Sequence, residues 1–276
     1  MKRLILLLIV VLMGINVNAQ VRAAKKKDLE AFFKTKTLVV LDENPFSYIN
    51  NVMKDEMKRF WTKTPYDFIT MAEFEELKKD DKYSFIVFAE IKQENLDNEY
   101  NFLNFALGSP TDDFNEMPDL GSVPLSYVGT DEDNYLYKMG AFLMFMQNYT
   151  QYRSNIAHMR LQRLLNVKDD KLHSKEIWLL EEEMEESVNT LEEIKEVYPY
   201  KVKFATREEI QKAIHDKNPN VAFLHKIGPE ETVKSGRVWK FILSAEDGMV
   251  LFSNNHDISK ETPDVFLMKD FKSMAK

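Results

Sequence analysis

The chain carries a pattern of apolar and polar positions that comes round twice. Thr37-Leu38-Val39-Val40-Leu41 is a short unbroken apolar run of the kind that forms a buried strand. Met53, Met57, Phe60 and Trp61 then fall on one helical face, and Pro65 closes the segment. Tyr66 to Thr70 reads as a strand, Met71 to Lys79 as a helix and Tyr83 to Ile91 as another strand. Two more strands follow, Tyr100 to Leu107 and Val123 to Val128, separated by the long loop Gly108 to Ser122. The second round begins with the strand Glu176 to Leu180 and a helix bearing Leu191, Ile194, Val197 and Tyr198, ended by Pro199. Val202 to Thr206, Arg207 to Asp216 and Val221 to Ile227 again read strand, helix, strand. Val238 to Leu243 and Met249 to Phe252 form a hairpin, because Asp247-Gly248 supplies the positive φ of a tight turn.

The offset between the rounds is 136, pairing Phe68 with Phe204, Thr70 with Thr206, Glu73 with Glu209, Phe74 with Ile210 and Ile91 with Ile227. Thr70/Glu73 and Thr206/Glu209 have capping-box spacing, in which hydroxyl and carboxylate satisfy free amides at a helix start. Each round closes on a helix. The second is announced by Thr262-Pro263-Asp264. The first has Thr130 and Asp133 at capping spacing and no Pro until beyond Val167, with Arg153, Arg160, Arg163 and Lys168 toward its end. It reads as one helix of about 35 residues, some 50 Å long. Met139, Phe142, Leu143, Met146 and Tyr149 make a Met-aromatic stripe on it, read as core beneath the first sheet.

The expected fold is therefore α+β, an α/β sandwich of two tandem similar domains. Each is β-α-β-α-β-β-β-α with a mixed sheet, joined through the long helix, and each buries its own core. The expected boundaries are a leader at 1–19, a tail at 20–36, a first repeat at 37–165, a linker at 166–174 and a second repeat at 175–276.

Lys2 and Arg3 precede ten apolar residues, Leu4 to Met13, and Val17 and Ala19 stand at the −3 and −1 positions of a cleavage site before Gln20. Ten helical residues reach only about 15 Å, half a hydrocarbon core, so this is read as a cleaved secretion signal and not an anchor. A periplasmic or secreted location follows, with no transmembrane segment in the mature chain. The stretch Arg22 to Lys27 is basic and is read as a solvated tail before an amphipathic turn, Asp28 to Phe33.

Composition narrows the chemistry. The net charge is −8, and −10 once Lys2 and Arg3 are gone, which argues against nucleic acid as a partner. With no cysteine there are no disulfides, thiolate metal sites or cysteine nucleophiles. Eight glycines, with no P-loop, G-x-G-x-x-G or G-x-S-x-G, leave no phosphate cradle and no nucleophile elbow, so no cofactor is expected. The five histidines, His158, His173, His215, His225 and His256, form no metal-binding motif; His256-Asp257 with His225 is the nearest fragment, read as loop polarity. Asp112, Asp113, Glu116 and Asp119 crowd the loop Gly108 to Ser122, followed by Asp131, Glu132 and Asp133. Calcium would want such oxygens, but its loop spacing is missing, and a solvated acidic loop is the reading. Glu181 to Glu183 with Glu185 and Glu186 are read as acids at a helix start. No catalytic, cofactor or metal residue is assigned.

The order strand, helix, strand, Thr-capped helix, strand ending at Ile91 or at Ile227-Gly228 resembles the α/β domains of bacterial envelope proteins. The TolB amino-terminal domain and the CsgG curli-secretion family are of this kind. The likeness spans roughly 60 residues of each round; the first lacks a Gly after Ile91. The chain also resembles exported bacterial α/β proteins with no activity attached. The resemblance implies protein contacts. The expectation is an exported, non-enzymatic binding or assembly module of the cell envelope, with a protein or glycan partner. The alternative is a secreted hydrolase of envelope or dietary polymers using carboxylate acid and base.

Overall fold

The computed structural model describes residues 22–44, 46–92, 99–156, 167–229 and 236–276. The amino-terminal apolar run and the cleavage position before Gln20 lie outside these residues. No helix among the described residues is long and apolar enough to cross a membrane.

Two mixed five-stranded sheets organise the chain. The first holds β1 (Lys36–Val40), β2 (Tyr66–Ile69), β3 (Tyr83–Lys92), β4 (Glu99–Leu107) and β5 (Val123–Tyr127), in the order β2-β1-β3-β4-β5. The second holds β6 (Glu176–Leu179), β7 (Val202–Phe204), β8 (Val221–Ile227), β9 (Arg237–Ser244) and β10 (Val250–Asp257), in the order β7-β6-β8-β9-β10. In each, the first three strands in sequence are parallel and the last two run antiparallel. The two halves share one strand order, with helices at matching places: α2 (Tyr48–Phe60) with α5 (Leu191–Val197), α3 (Met71–Leu77) with α6 (Arg207–His215), and α4 (Met139–Asn155) with α7 (Met268–Met274).

The capping boxes form as the spacing requires: Thr70 Oγ1 accepts from Glu73 N at 3.3 Å and Thr206 Oγ1 from Glu209 N at 3.2 Å. Phe68 and Phe204 hold matching sheet positions, and Phe74 and Ile210 are both buried. The constant offset of 136 does not survive past these helices. α6 has nine residues against seven in α3. Thr37 pairs with Tyr66 and Ser84, as Ile177 pairs with Val202 and Ala222. Phe85 therefore corresponds to Phe223, and one strand further on Leu103 corresponds to Lys240.

The cores are not separate. One cluster of buried side chains runs from Val39, Ile86 and Leu103 of the first sheet, through α4, to Val221, Phe223 and Phe241 of the second. The layers are α3, the first sheet, a shared helical layer of α1 (Lys26–Phe32), α2, α4 and α6, then the second sheet, then α5 and α7. α4 is buried on nearly all sides because it has a sheet on each side of it, which is why its apolar residues fill the circumference and not a stripe. The Phe142 ring lies 4.7 Å from the His225 ring, and Gly248 (φ 73°) turns the β9–β10 hairpin directly against the α4 backbone. That contact needs glycine twice over, for the positive φ and for the missing Cβ.

Five local expectations are corrected. The helix read from Thr130 starts at Met139; 3₁₀ turns at Glu132–Asn134 and Leu136–Lys138 precede it, and it ends at Asn155, with 157–166 outside the described residues. The tail is packed: Ala23 bridges Asp119, and Ala24, Leu29 and Phe32 are buried, because an amphipathic turn this apolar finds the α4 surface. Part of the linker is structural, with Lys168 bridged to Phe252 and Leu172 fully buried. Thr262-Pro263-Asp264 does not open the last helix, which begins at Met268, and the acidic run after β6 makes 3₁₀ turns at Glu181–Glu183 and Glu186–Val188, the helix waiting for the Thr190/Glu193 capping box.

Candidate functional site

In open α/β sheets ligands collect at the carboxyl ends of parallel strands, where successive connections leave toward opposite faces. In the first half this place is the end of β1 and β2: α2 leads away over the shared core and α3 over the outer face. A cleft of about 510 Å³ lies there. Its floor is hydrocarbon, from Ile49, Met53, Ile86, Phe88 and Leu103. Its rim is acidic and polar, with Asp42, Glu43, Ser47, Asn50 and Glu132.

The rim is held by the buried Asn50. Its amide oxygen accepts from Asp42 N at 2.9 Å, and its amide nitrogen donates to Asp42 O at 3.0 Å and Asn44 O at 3.1 Å. Asn44 N donates to Asp42 Oδ1 at 2.7 Å, and Phe46 N to Asn44 Oδ1 at 3.0 Å. Pinned in this way, the loop leaves Phe46 89% exposed and Tyr48 52% exposed on either side of the rim residue Ser47, and Met71, 37% exposed, lines the cleft. Large apolar groups so exposed around an apolar floor are unusual on a monomer surface. Burial raises the pKa of the Glu132 carboxyl, and the charges of Asp131, Asp133 and Asp42 raise it further. The field at the cleft mouth is negative.

The second half treats the same place differently. Its loop after β6 is longer and folds inward, burying Met184 and Val188. The segment before α7 lies against it: Phe266 N donates to Glu183 O at 2.7 Å, and Glu185 N to Phe266 O at 3.0 Å. Phe266 is fully buried, with the Lys240 ammonium 5.6 Å from its ring. Lys226 holds Asp264 at 2.7 Å, and Lys240 is paired with Asp270, both wholly buried. Asp270 also accepts from Asn254 at 2.8 Å and Leu267 N at 2.9 Å. Burial brings the Lys240 pKa down to about 8 against the pull of Asp270. Lys226 and Lys240 correspond to Phe88 and Leu103. Where the first half has hydrocarbon beneath a cleft, with Phe88 half-buried over Ile86 and Leu103, the second has a charged floor covered by its own chain.

Other candidates resolve into local structure. Asp112 pairs with Lys79, Asp113 Oδ1 accepts from Asn115 N, Glu116 accepts from Thr111, and Asp119 accepts from Ser122. Among the described residues no group of three or more His, Asp and Glu is placed to hold a metal ion. His225 and His256 do not converge: His225 Nε2 meets Pro124 O at 3.0 Å and His256 Nε2 meets Pro263 O at 2.9 Å. His215 meets Glu56 across the halves at 2.9 Å, His173 stacks on Tyr200, and His158 lies outside the described residues. The Met-aromatic stripe is core, shared by both sheets.

Sequence reasoning passed over Phe46 and Tyr48. The available signal was an aromatic in a polar loop, Phe46, and another at the start of α2, Tyr48, off the Met53/Met57/Phe60 helical face. No protein-family model, curated protein or solved structure matches the chain.

Proposed function

We propose that this chain is an exported, non-enzymatic binding module of the bacterial cell envelope, and that the first-half cleft is where it engages its partner. The observation that carries the reading is the cleft itself: a hydrocarbon floor, an acidic rim and exposed aromatics at the place the second half closes with its own chain. The amino-terminal apolar run with Val17 and Ala19 supports export. In this cleft a hydrolase would have to draw its acid and base from Asp42, Glu43 and Glu132. Asp42 Oδ1 is taken by Asn44 N, and the lining includes no histidine, lysine or arginine to orient a polar substrate. Floor and rim suit binding better.

The test is made in cells. With its own leader, the chain should be recovered from the periplasm or medium beginning at Gln20. A photocrosslinking residue at Phe46 or Met71 should give a discrete adduct, and one at Leu191, exposed on the second half, should not. Retention of the intact chain in the cytoplasm, or equal adducts from all three positions, would overturn the reading.

A further inference from the structure

The second half shows what kind of object fits a cleft of this shape. Residues Asp264-Val265-Phe266-Leu267 cross the carboxyl end of its sheet. Phe266 settles by Lys240, Asp264 reaches Lys226, and main-chain bonds tie the segment to the loop after β6. In the first half the corresponding stretch precedes α4 and takes another path. It coils into the two 3₁₀ turns at Glu132–Asn134 and Leu136–Lys138, and Tyr137, which stands one residue before the helix N-cap as Phe266 does, goes elsewhere. Tyr137 packs against α6 of the other half, near Arg207 and Glu183, and is lost to its own sheet. The cleft is thus a seat whose internal occupant has been diverted.

From this we infer that the first-half cleft receives an extended peptide segment of a partner protein, with one aromatic or large aliphatic anchor flanked by lysine or arginine. The inference rests on the binding reading above. The anchor follows from the floor: Phe88 and Leu103 replace the two lysines under the second half's segment, so nothing there asks for a carboxylate, and the half-buried Phe88 over the buried Ile86 and Leu103 offers an apolar contact. The basic flanks follow from the rim: Asp42, Glu43 and Glu132 face the opening, with Asp131 and Asp133 close enough to raise the Glu132 pKa. An acidic segment like Asp264-Val265 would be repelled; its charge-reversed counterpart is steered in. The exposed Phe46, Tyr48 and Met71 then have a role, closing around an anchor that buries itself between them and the floor.

The probe is a set of fluorescent peptides titrated against the mature full chain: Lys-Lys-Ala-Phe-Ala-Lys-Lys, the same with Ala for Phe, and the same with Glu for every Lys. The first should bind, and each of the others should be weaker by tenfold or more. The surface change Glu43→Lys with Glu132→Lys should invert the charge preference, so that the Glu peptide now binds better than the Lys peptide. Met71→Ala, at an exposed position, should weaken the first peptide without altering the melting temperature. Binding of the basic peptide should also fall as pH drops through the raised Glu132 pKa. Equal affinity for all three peptides, no binding by any, no inversion in the double variant, or a concentration-dependent dimer that competes for the cleft would each overturn the peptide assignment. If the crosslinks from Phe46 and Met71 persist when the peptides fail, the binding reading stands and only the peptide class is wrong.

Discussion

The two halves differ most in what each does with the dozen residues ahead of its last helix. In the second half that segment lies on its own sheet, and Phe266 and the Lys240–Asp270 pair seal the carboxyl end. In the first half the segment winds up and sends Tyr137 to the neighbouring half, and the carboxyl end stays open. One strand order therefore yields a closed structural unit and an open one. The choice is made by where a single aromatic goes, and by whether the sheet beneath offers lysine or hydrocarbon. On the proposed binding reading, a repeated scaffold lets one copy close its sheet end while the other keeps that end for a partner.

The widest way to break the comparison is to ask whether the halves are separable at all. α4 is the first half's last helix, yet its Phe142 packs on the second half's His225. Phe142→Ala should cost about 3–5 kcal/mol, the range for deleting a fully buried aromatic, and should shift one cooperative urea transition as a whole. Two resolved transitions, with only one moved, would show independent cores.

Next in size is the seal of the second half. Asp270→Asn leaves Lys240 buried without its partner and should cost about 3 kcal/mol. Lys240→Leu, which installs the residue type of the first half's Leu103, should recover part of that loss when combined with Asp270→Asn. A double variant no better than the single one would mean that the pair is not the coupled unit the comparison requires.

How much of this was legible can be said residue by residue. Strand and helix order, the capping boxes at Thr70 and Thr206 and the Asp247-Gly248 turn followed from local pattern, because propensity and backbone satisfaction act within a few residues. The Lys240–Asp270 pair was invisible, because a lysine in a strand pattern reads as the solvent face until something covers it. α4 was misread as the first copy's own core helix, since an apolar circumference does not say how many sheets surround it. The cleft was missed because a cavity is a property of what fails to fold back. No periodicity records that Tyr137 turns away while Phe266 turns in.

Acid should act on the shared layer. His225 has Val87 as its counterpart in the first half, and it is buried with Nδ1 unpartnered. Burial, with the Lys138 charge, holds its pKa well below the ordinary value. The unfolded chain takes up this proton near pH 6.5 and the folded chain does not. The contribution is therefore intact above that pH and lost as pH falls, by up to about 1.4 kcal/mol per pH unit. His256, also lowered by burial, acts in the same direction. Glu56, Glu132 and Glu183, raised by burial, act in the opposite direction. The readout is therefore the difference between variants: from pH 7 to pH 5 His225→Val should lose about 1–2 kcal/mol less unfolding free energy than the parent and leave the His256 part. An unchanged slope in His225→Val would place the acid response elsewhere.

The smallest expected effect tests the duplication at the point where the halves are most alike. Thr70 and Thr206 make the same reciprocal cap at nearly the same distances, but α3 lies on the outside of the first sheet and α6 lies in the shared layer. A cap acts on the first turn of its own helix, so its worth depends on the amides it satisfies and not on what the helix covers. Thr70→Ala and Thr206→Ala should each cost about 1 kcal/mol, measured by urea unfolding. Glu209 also accepts from Lys203 at 2.6 Å, which Glu73 has no counterpart for, so a small excess at Thr206 is expected if that carboxylate is held in place by both. Lys203→Met should erase the excess and leave the two caps equal. A Thr206 effect several times that of Thr70, and insensitive to Lys203, would show that the start of α6 is set by its contacts with the first half. The likeness of the two helices would then be one of pattern only.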